Sequence, residues 1–254
     1  MAREGQLSGK TAIVTGSSKL SGIGAATAIA LAEQGANIVV HYATSQEGAN
    51  TVVEKLKGLG VKAVAIQSDA SSASFGTKLV QDALAALNTS TIDIIVNNAG
   101  VAAVHPGIAD VDFGSWDTIF HANVRAPFLL IQAALPYMKT GGRIINIGSI
   151  VAKMGNKMLT VYSASKGALT TMSVSMAEEL GAKGITINVV APGPIATEMS
   201  MKGSPIFEKL QNNAHIKREG ETQEVASAVA WLASPNAGYI TGQLIPVDGG
   251  IGWP

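Results

Sequence analysis

The segment Thr11-Ala-Ile-Val-Thr-Gly-Ser-Ser-Lys-Leu-Ser-Gly-Ile-Gly24 decides how this chain is expected to fold. Its β-branched run, residues 11–15, predicts a buried strand, and a glycine-rich turn joins that strand directly to an alanine-rich helix. Glycines at such a junction let backbone N–H groups approach a pyrophosphate, and the positive end of the helix dipole favours the anion. The turn therefore favours dinucleotide binding, although a tight turn that binds nothing can carry the same glycines.

The alternation of strand and helix continues along the chain. Further short β-branched runs predict strands at residues 37–41, 61–66, 92–96, 143–147, 185–189 and 243–247. Helical periodicity between the strands predicts helices at residues 24–34, 46–59, 116–138 and 160–180. This rhythm is typical of a parallel sheet covered by helices on both faces. We expect a single α/β domain spanning residues 1–254.

Composition narrows the classes of function. Lys plus Arg (18) balance Asp plus Glu (18), so no long-range field favours nucleic acid or an anionic membrane. The chain has no cysteine, and its four histidines lie far apart in sequence, so we expect no metal site. The first ten residues carry charges and no apolar core, which is unlike a signal peptide or membrane anchor. We therefore expect a soluble, cytoplasmic protein that acts on a small molecule.

Short polar and glycine motifs follow the predicted strands in a fixed order. They are the glycine-rich turn, Asp69, Asn97-Asn-Ala-Gly100, Asn123, Ser149, Tyr162-Ser-Ala-Ser-Lys166, Pro192-Gly-Pro-Ile-Ala-Thr197, Tyr239-Ile-Thr-Gly-Gln243 and Val247-Asp-Gly-Gly250. Over nearly the whole chain this set resembles the short-chain dehydrogenase/reductase family, in its Tyr-x-x-x-Lys branch. The turn departs from the family pattern, because five residues rather than three separate Gly16 from Gly22.

The resemblance implies a doubly wound, Rossmann-type fold with a seven-stranded parallel sheet in the order 3-2-1-4-5-6-7. It also implies an NADP(H)-dependent oxidoreductase that transfers a hydride between nicotinamide and a carbonyl or secondary alcohol carbon, like a ketone or 3-oxoacyl reductase. Two alternatives stay open. The Ser-Lys-Leu-Ser wording of the turn is similar to that of enoyl reductases, and a catalytically silent, cofactor-sensing protein could share the fold.

The candidate catalytic residues are Asn123, Ser149, Tyr162 and Lys166. Reduction of a ketone leaves negative charge on oxygen, which Tyr162 can neutralise by donating its proton. Lys166 lies four residues further on, hence on the same helical face, where its ammonium is expected to favour the phenolate. Ser149, at a predicted strand end, would orient the substrate oxygen. The resemblance gives Asn123 a water that links Lys166 to solvent, but a buried Asn that stabilises a helix is the alternative.

Cofactor contacts are expected from every loop that follows a strand at this edge of the sheet. The candidates are Gly16, Ser18, Lys19, Ser21, Gly22, Ile23, Gly24, Tyr42, Ala43, Thr44, Ser45, Asp69, Ala70, Asn98, Ala99, Gly100, Tyr162, Lys166, Pro192, Gly193, Ile195 and Thr197. No acid follows the second strand to repel a 2′-phosphate, so NADP(H) is preferred over NAD(H). Lys19 is either a phosphate contact or a solvated loop residue. Asp69 is either the residue that contacts adenine or a helix N-cap.

Three features concern the substrate side and assembly. Residues 195–220 lack a predicted element and form a candidate substrate lid, since loops of that length are usually functional. His105, after the Asn-Ala-Gly motif, is expected to be a solvated loop residue. The predicted helices 116–138 and 160–180 are too apolar for both faces to be wetted, so a homo-tetramer or dimer is expected.

Overall fold

A computed structural model describes residues 5–198, 203 and 205–251. Its seven parallel strands form one sheet in the order β3-β2-β1-β4-β5-β6-β7, which confirms the predicted fold and strand order. The strands are β1 (Thr11–Val14), β2 (Asn37–Tyr42), β3 (Ala63–Gln67), β4 (Ile94–Asn97), β5 (Arg143–Ile147), β6 (Thr186–Pro192) and β7 (Leu244–Val247).

Helices cover both faces of the sheet. They are α1 (Ile23–Glu33), α2 (Gln46–Lys57), α3 (Phe75–Leu87), α4 (Phe113–Phe120), α5 (Ala126–Ala134), α6 (Val151–Met154), α7 (Thr160–Gly181), α8 (Pro205–Asn213) and α9 (Thr222–Ala233). Single 3₁₀ turns lie at Ile108–Asp110, Leu135–Tyr137 and Pro235–Ala237. Within the described ranges, no helix is both long and apolar enough to cross a membrane.

The core consists of two apolar layers, one on each face of the sheet. Val14 of β1 points into the layer that also holds Leu31 of α1 and Val229 of α9, whereas Ile13 points into the opposite layer, with Leu79 of α3 and Leu130 of α5. Successive side chains of a strand alternate between faces, and here both faces are buried. This explains why the strand sequences are continuous apolar runs rather than alternating ones.

The predicted long helix 116–138 is interrupted. Helix α4 is followed by a π-helical turn, His121–Arg125, and only then by α5. Pro127, near the start of α5, has no N–H and cannot complete the α-helical hydrogen bond to the carbonyl of Asn123. Because the Asn123 carbonyl lacks its α-helical donor, the backbone can form the wider π turn here. Such turns within helices often occur at functional sites.

The candidate lid also differs from its prediction. Residues 195–220 contain helix α8, and a parallel bridge between Ile195 and Gly220 closes the base of the segment. Phe207 and Leu210 are three residues apart on α8, and Phe207 is buried, as is Ala214, which follows the helix. Sequence analysis missed this apolar spacing because of the preceding Gly203-Ser-Pro205 break. Residues 199–202 and 204 of this segment lie outside the described residues.

Candidate active site

The predicted site residues meet at the carboxyl edge of the sheet, where β1, β4, β5 and β6 end. The Nδ2 atom of Asn98, after β4, donates to the carbonyls of Thr15 and Gly16, each at 2.9 Å. Lys166 of α7 donates from Nζ to the carbonyl of Ile147, the last residue of β5, at 2.7 Å. These bonds join the glycine-rich turn, the β4 loop and helix α7 to one side of the sheet, where open α/β sheets bind their ligands.

The glycine-rich turn is packed so closely that its glycines leave no room for side chains. Gly16 has φ +62°, and a Cβ added there would lie 2.8 Å from the Cα of Ala99. A Cβ on Gly24 would lie 2.5 Å from the carbonyl oxygen of Gly16. Gly22 is the N-cap of α1, so the N–H groups of the first turn have no intrahelical acceptor and can meet an anion. The turn fits the pyrophosphate of a dinucleotide.

The lengthened part of the turn contacts Glu198, at the start of the candidate lid. Lys19 Nζ lies 2.6 Å from one carboxylate oxygen, and Ser21 Oγ donates to the other at 3.0 Å. Hydrogen bonds from Lys19 and Ser21 hold the pKa of the Glu198 carboxyl below its usual value. Glu198 was missed by sequence analysis, because 179 residues separate it from Lys19. The phosphate contact of Lys19 stays a prediction.

The loops after β2 and β3 face the same edge. Ala43 and Thr44 are exposed, and Ser45 immediately precedes α2. Both carboxylate oxygens of Asp69 accept hydrogen bonds from Ser71, one from its N–H and one from its hydroxyl, at 2.8 Å each, which lowers the pKa of Asp69. The N-cap alternative for Asp69 is wrong, since α3 begins after Ser74. Its adenine contact stays a prediction.

Tyr162 and Ser149 share a side-chain hydrogen bond. Burial raises the pKa of the Tyr162 hydroxyl above its usual value, and the bond with Ser149 opposes this only in part. Lys166 Nζ lies 5.7 Å from the centroid of the Tyr162 ring. Burial therefore dominates the pKa of Tyr162 in this structure, and the expectation that Lys166 favours the phenolate stays a prediction. Burial also lowers the pKa of Lys166, to about 8.

Asn123 lies fully buried in the π-helical turn and connects three elements. Its Oδ1 accepts from the N–H of Val101, while its Nδ2 donates to the Val101 carbonyl and to Ser165 Oγ, all within 3.0 Å. Ser165 Oγ in turn donates to the carbonyl of Tyr162 at 2.7 Å. This geometry favours the alternative of a buried, stabilising Asn. The water-holding role stays a prediction.

His105 is buried, so the expectation of a solvated loop residue is wrong. Its backbone N–H donates to the carbonyl of Met158 at 3.0 Å, and its ring Nε2 lies 3.2 Å from Ser115 Oγ. The β4 loop thereby contacts both α4 and the loop after α6, at one side of the site. The sequence around His105 contains no motif that predicts this burial.

An apolar cluster packs against Tyr162. It combines residues of the β5–α7 segment, of the candidate lid and of the C-terminal turn, namely Ile150, Val151, Met154, Leu210, Ala214 and Ile251. The remaining candidate residues follow β6. A Cβ on Gly193 would lie 2.8 Å from the Cα of Asp248, so Pro192 and Gly193 pass close to the C-terminal turn. Ile195 is buried and Thr197 is half-buried beside it.

Comparison with protein families gives a match to residues 16–252 for the family described as enoyl-(acyl carrier protein) reductase. Two relatives match almost end to end. A probable tetrahydroxynaphthalene reductase of Zymoseptoria tritici is 39% identical over 258 residues, 96% of this chain and 95% of its own. A 3-oxoacyl-[acyl-carrier-protein] reductase of Staphylococcus epidermidis is 37% identical over 245 residues, 95% of this chain and 98% of its own.

Solved structures show the same architecture. A blue fluorescent protein from a metagenomic library, in complex with NADPH, matches with a TM-score of 0.91 and 40% identity, covering 97% of this chain and 99% of that one. A short-chain dehydrogenase of Burkholderia cenocepacia, in complex with NADP, matches with a TM-score of 0.91 and 35% identity over the same shares. Both likenesses extend over the sheet and the loops at its carboxyl edge.

Proposed function

The chain belongs to the short-chain dehydrogenase/reductase family, and on that premise we propose how its own residues carry out the reaction. It is an NADP(H)-dependent oxidoreductase that transfers a hydride between nicotinamide and a carbonyl or secondary alcohol carbon, as in ketone and 3-oxoacyl reductases. The observation that carries our assignment of roles is the hydrogen bond between Ser149 and Tyr162, one helical turn before the buried ammonium of Lys166.

Tyr162 is the proton donor in this proposal. Bound NADPH supplies the hydride to the carbonyl carbon. Burial raises the pKa of Tyr162, which keeps the phenol protonated and ready to donate to the substrate oxygen as charge develops there. The Ser149 hydroxyl, which meets Tyr162 directly, would hold that oxygen at the same point.

Lys166 keeps in this proposal the two roles expected of it, a charge beside Tyr162 and a contact with the cofactor. Its ammonium is buried, bonded to the Ile147 carbonyl, and placed across the Tyr162 ring. From there it adds positive potential to the site and can reach the ribose hydroxyls of a bound cofactor. Asn123 holds the β4 loop and the second turn of α7 together, so we assign it a positioning role and keep the water contact as a further proposal.

Recognition of the 2′-phosphate is assigned to the loop after β2. The exposed Thr44 and the neighbouring Ser45 present hydroxyl groups, and the first acid, Glu47, lies inside α2. Lys19 could add a cation, in competition with its ion pair to Glu198. An acid after β2 would repel the phosphate, and its absence from the sequence supports the preference for NADP(H).

Residues 195–220 are proposed as a lid over the substrate. Leu210 and Ala214 belong to the apolar cluster that packs against Tyr162, so the segment and the reacting residue share one cluster. Closure of such segments excludes water from the chemistry. The bridge between Ile195 and Gly220 and the hydrogen bond from Ile216 N–H to the Gly249 carbonyl would serve as the fixed base.

A panel assay tests the reaction class. Oxidation of NADPH would be followed with ketones, quinones, β-ketoacyl thioesters and, as the rival substrates, activated enones. We expect turnover with a carbonyl compound and none at the C=C bond of the enones. Preferential reduction of the C=C bond would instead support the enoyl reductase alternative, in line with the enoyl-(acyl carrier protein) reductase family that matches residues 16–252. Binding of NADPH without turnover of any class would support the cofactor-sensing alternative.

Tyr162→Phe tests the assignment of roles. Loss of the hydroxyl removes the proton donor, so kcat should fall by about 10³-fold, within the usual range for an acid–base group. The dissociation constant for NADPH should stay within a factor of about two, because the phenyl ring fills the same volume. Tyr239→Phe, which removes a hydroxyl from a fully exposed residue, is the matched control. Retention of more than a few per cent of kcat in Tyr162→Phe would contradict the assignment.

A homo-oligomer is proposed from exposed apolar side chains. On α4, α5 and α7 these are Phe113 (89% exposed), Trp116, Phe128 and Val174. Large apolar side chains exposed on neighbouring helices are often covered by a partner, and a second copy of the chain would cover them with the same helices. Light scattering at micromolar concentration should give a dimer or tetramer mass. A cytoplasmic location stays a prediction.

A further inference from the structure

His41, the fifth residue of β2, makes hydrogen bonds that no catalytic or cofactor role discussed above explains. The residue is buried, and its ring meets the Phe75 ring edge-on with centroids 5.3 Å apart. Its Nδ1 accepts from the N–H of Gly16 at 3.1 Å, and its Nε2 lies 2.9 Å from the carbonyl oxygen of Ser68. Its own carbonyl accepts from the N–H of Ser17 at 3.1 Å.

These partners determine the protonation state of the ring. A carbonyl oxygen only accepts, so Nε2 must carry the hydrogen, while a backbone N–H only donates, so Nδ1 must be unprotonated. The neutral Nε2–H tautomer alone satisfies both bonds. In that form His41 bridges the start of the glycine-rich turn to the residue before Asp69, which are the two segments assigned to the pyrophosphate and to adenine.

We propose that His41 is a positioning residue for the dinucleotide: its neutral imidazole holds the glycine-rich turn in the conformation that binds NADP(H), and protonation of the ring releases the turn. Protonated Nδ1 would face the N–H of Gly16 donor to donor, and the left-handed Gly16 would lose its anchor. This inference rests on the proposed cofactor site, but it does not depend on the substrate or on the proton donor.

The surroundings of the ring set the direction of the pH effect. It faces backbone groups of the turn and of β3, and the aromatic ring of Phe75 on α3. The first acid after Ser68 is Asp69, whose carboxylate bonds to Ser71 instead. Burial lowers the pKa of His41 below its usual 6.5, so the ring is neutral at pH 7 and gains its proton only as the pH falls further.

Binding of NADP⁺ to the full chain, measured by titration calorimetry between pH 5.5 and 8.5, tests the proposal without reference to turnover. His41→Leu loses both bonds and should bind about tenfold more weakly at pH 8, as expected for an unsatisfied buried N–H. His41→Asn can still accept from Gly16 through Oδ1 and should lose only about threefold. Because Asn does not titrate, the ratio of affinities, wild type to His41→Asn, should stay constant down to about pH 6 and fall only at the acidic end of the range, where the pH drops below the lowered pKa of His41.

The ratio cancels the titration of the 2′-phosphate, which is common to both proteins. His121→Gln replaces a histidine that lies outside the glycine-rich turn. It is the control and should follow the wild-type pH profile. Should His41→Leu fail to fold, ¹⁵N NMR of the histidine-labelled wild-type protein at pH 7.5 must still show one neutral Nε2–H ring protected from protonation at pH 6. Equal affinities across the variants, a flat ratio, or the other tautomer would overturn the proposal. Absence of NADP⁺ binding in the wild type would instead contradict the proposed function.

Discussion

The glycine-rich turn and the candidate lid flank the same edge of the sheet, but they are held by different interactions. The turn is fixed by backbone bonds, with Gly16 and Ser17 both donating to His41, and by close approaches that leave no room for a Cβ. The lid segment has backbone bonds at its base, but its middle part packs through side chains, since Phe207 of α8 and Ala214, which follows the helix, are buried. Backbone anchoring resists displacement, whereas side-chain packing can be exchanged for substrate contacts.

The largest effect should follow from adding one carbon to the turn. Gly16→Ala creates a Cβ 2.8 Å from the Ala99 Cα at a left-handed φ, so we expect a loss of about 2–3 kcal/mol of stability and more than tenfold weaker NADPH binding. Gly9→Ala is the matched control, since Gly9 also has a positive φ but nothing within 4 Å of an added Cβ. It should lose about 1 kcal/mol and no affinity. Equal losses in thermal melts and titrations of the two variants would refute the close-approach argument.

Cofactor choice should respond next. Ala43→Asp places an acid after β2, where it can bond to a ribose 2′-hydroxyl and repel a 2′-phosphate, so the ratio of kcat/KM for NADPH to that for NADH should fall by about tenfold or more. Ala43→Asn has nearly the same shape without the charge and should change the ratio far less. If both substitutions shift the ratio equally, the effect is steric and the electrostatic argument fails.

The lid should give a smaller effect, confined to the substrate. Leu210→Ala trims the contact between α8 and the cluster at Tyr162, so KM for the carbonyl substrate should rise several-fold, while the dissociation constant for NADPH should stay constant. Lys209→Ala, an exposed neighbour on the same helix, is the control. A change in NADPH affinity with unchanged KM would show that the two regions are not separable in this way.

The smallest effect is expected where the two regions touch. Glu198→Gln removes the charge that pairs with Lys19, and since both side chains are exposed the ion pair contributes little to stability. Freed from the carboxylate, Lys19 can turn to the phosphates, so NADPH should bind slightly more tightly, with the gain disappearing at high salt. Lys19→Gln should remove the gain when combined with Glu198→Gln. Weaker NADPH binding in Glu198→Gln would show that the Lys19–Glu198 ion pair stabilises the bound cofactor instead of competing with it.

Sequence predicted the parts of the molecule that depend on local patterns. The seven strands lie within three residues of their predicted ends, because β-branched runs between turns report buried parallel strands directly. The positions of Ser149, Tyr162 and Lys166 also followed from spacing along one strand end and one helix. What sequence could not show were contacts between distant residues, such as Lys19 with Glu198, and the burial that raises the pKa of Tyr162 against the opposing effect of Ser149.

Other features were hidden by ordinary residue types. His41 resembles any buried strand residue until its ring is seen between Gly16 and Ser68. Helix α8 was missed because a Gly-Ser-Pro break and polar residues outweighed the three apolar positions of its buried face. In each case the deciding interaction is tertiary, so no window of the sequence contains it.

The π-helical turn His121–Arg125 sets the rotation of α4 about its axis relative to α5. A π turn contains one residue more than an α turn, and each residue of an α-helix turns the chain by about 100°. Deleting Ala122 would rewind the turn and rotate α4 by that angle relative to α5. The stacked rings of Trp116 and Phe120 would then point in a different direction relative to Phe128. The extra residue of the π turn thus sets the direction in which Trp116 and Phe120 point, and the same turn holds Asn123, whose side chain positions the active site.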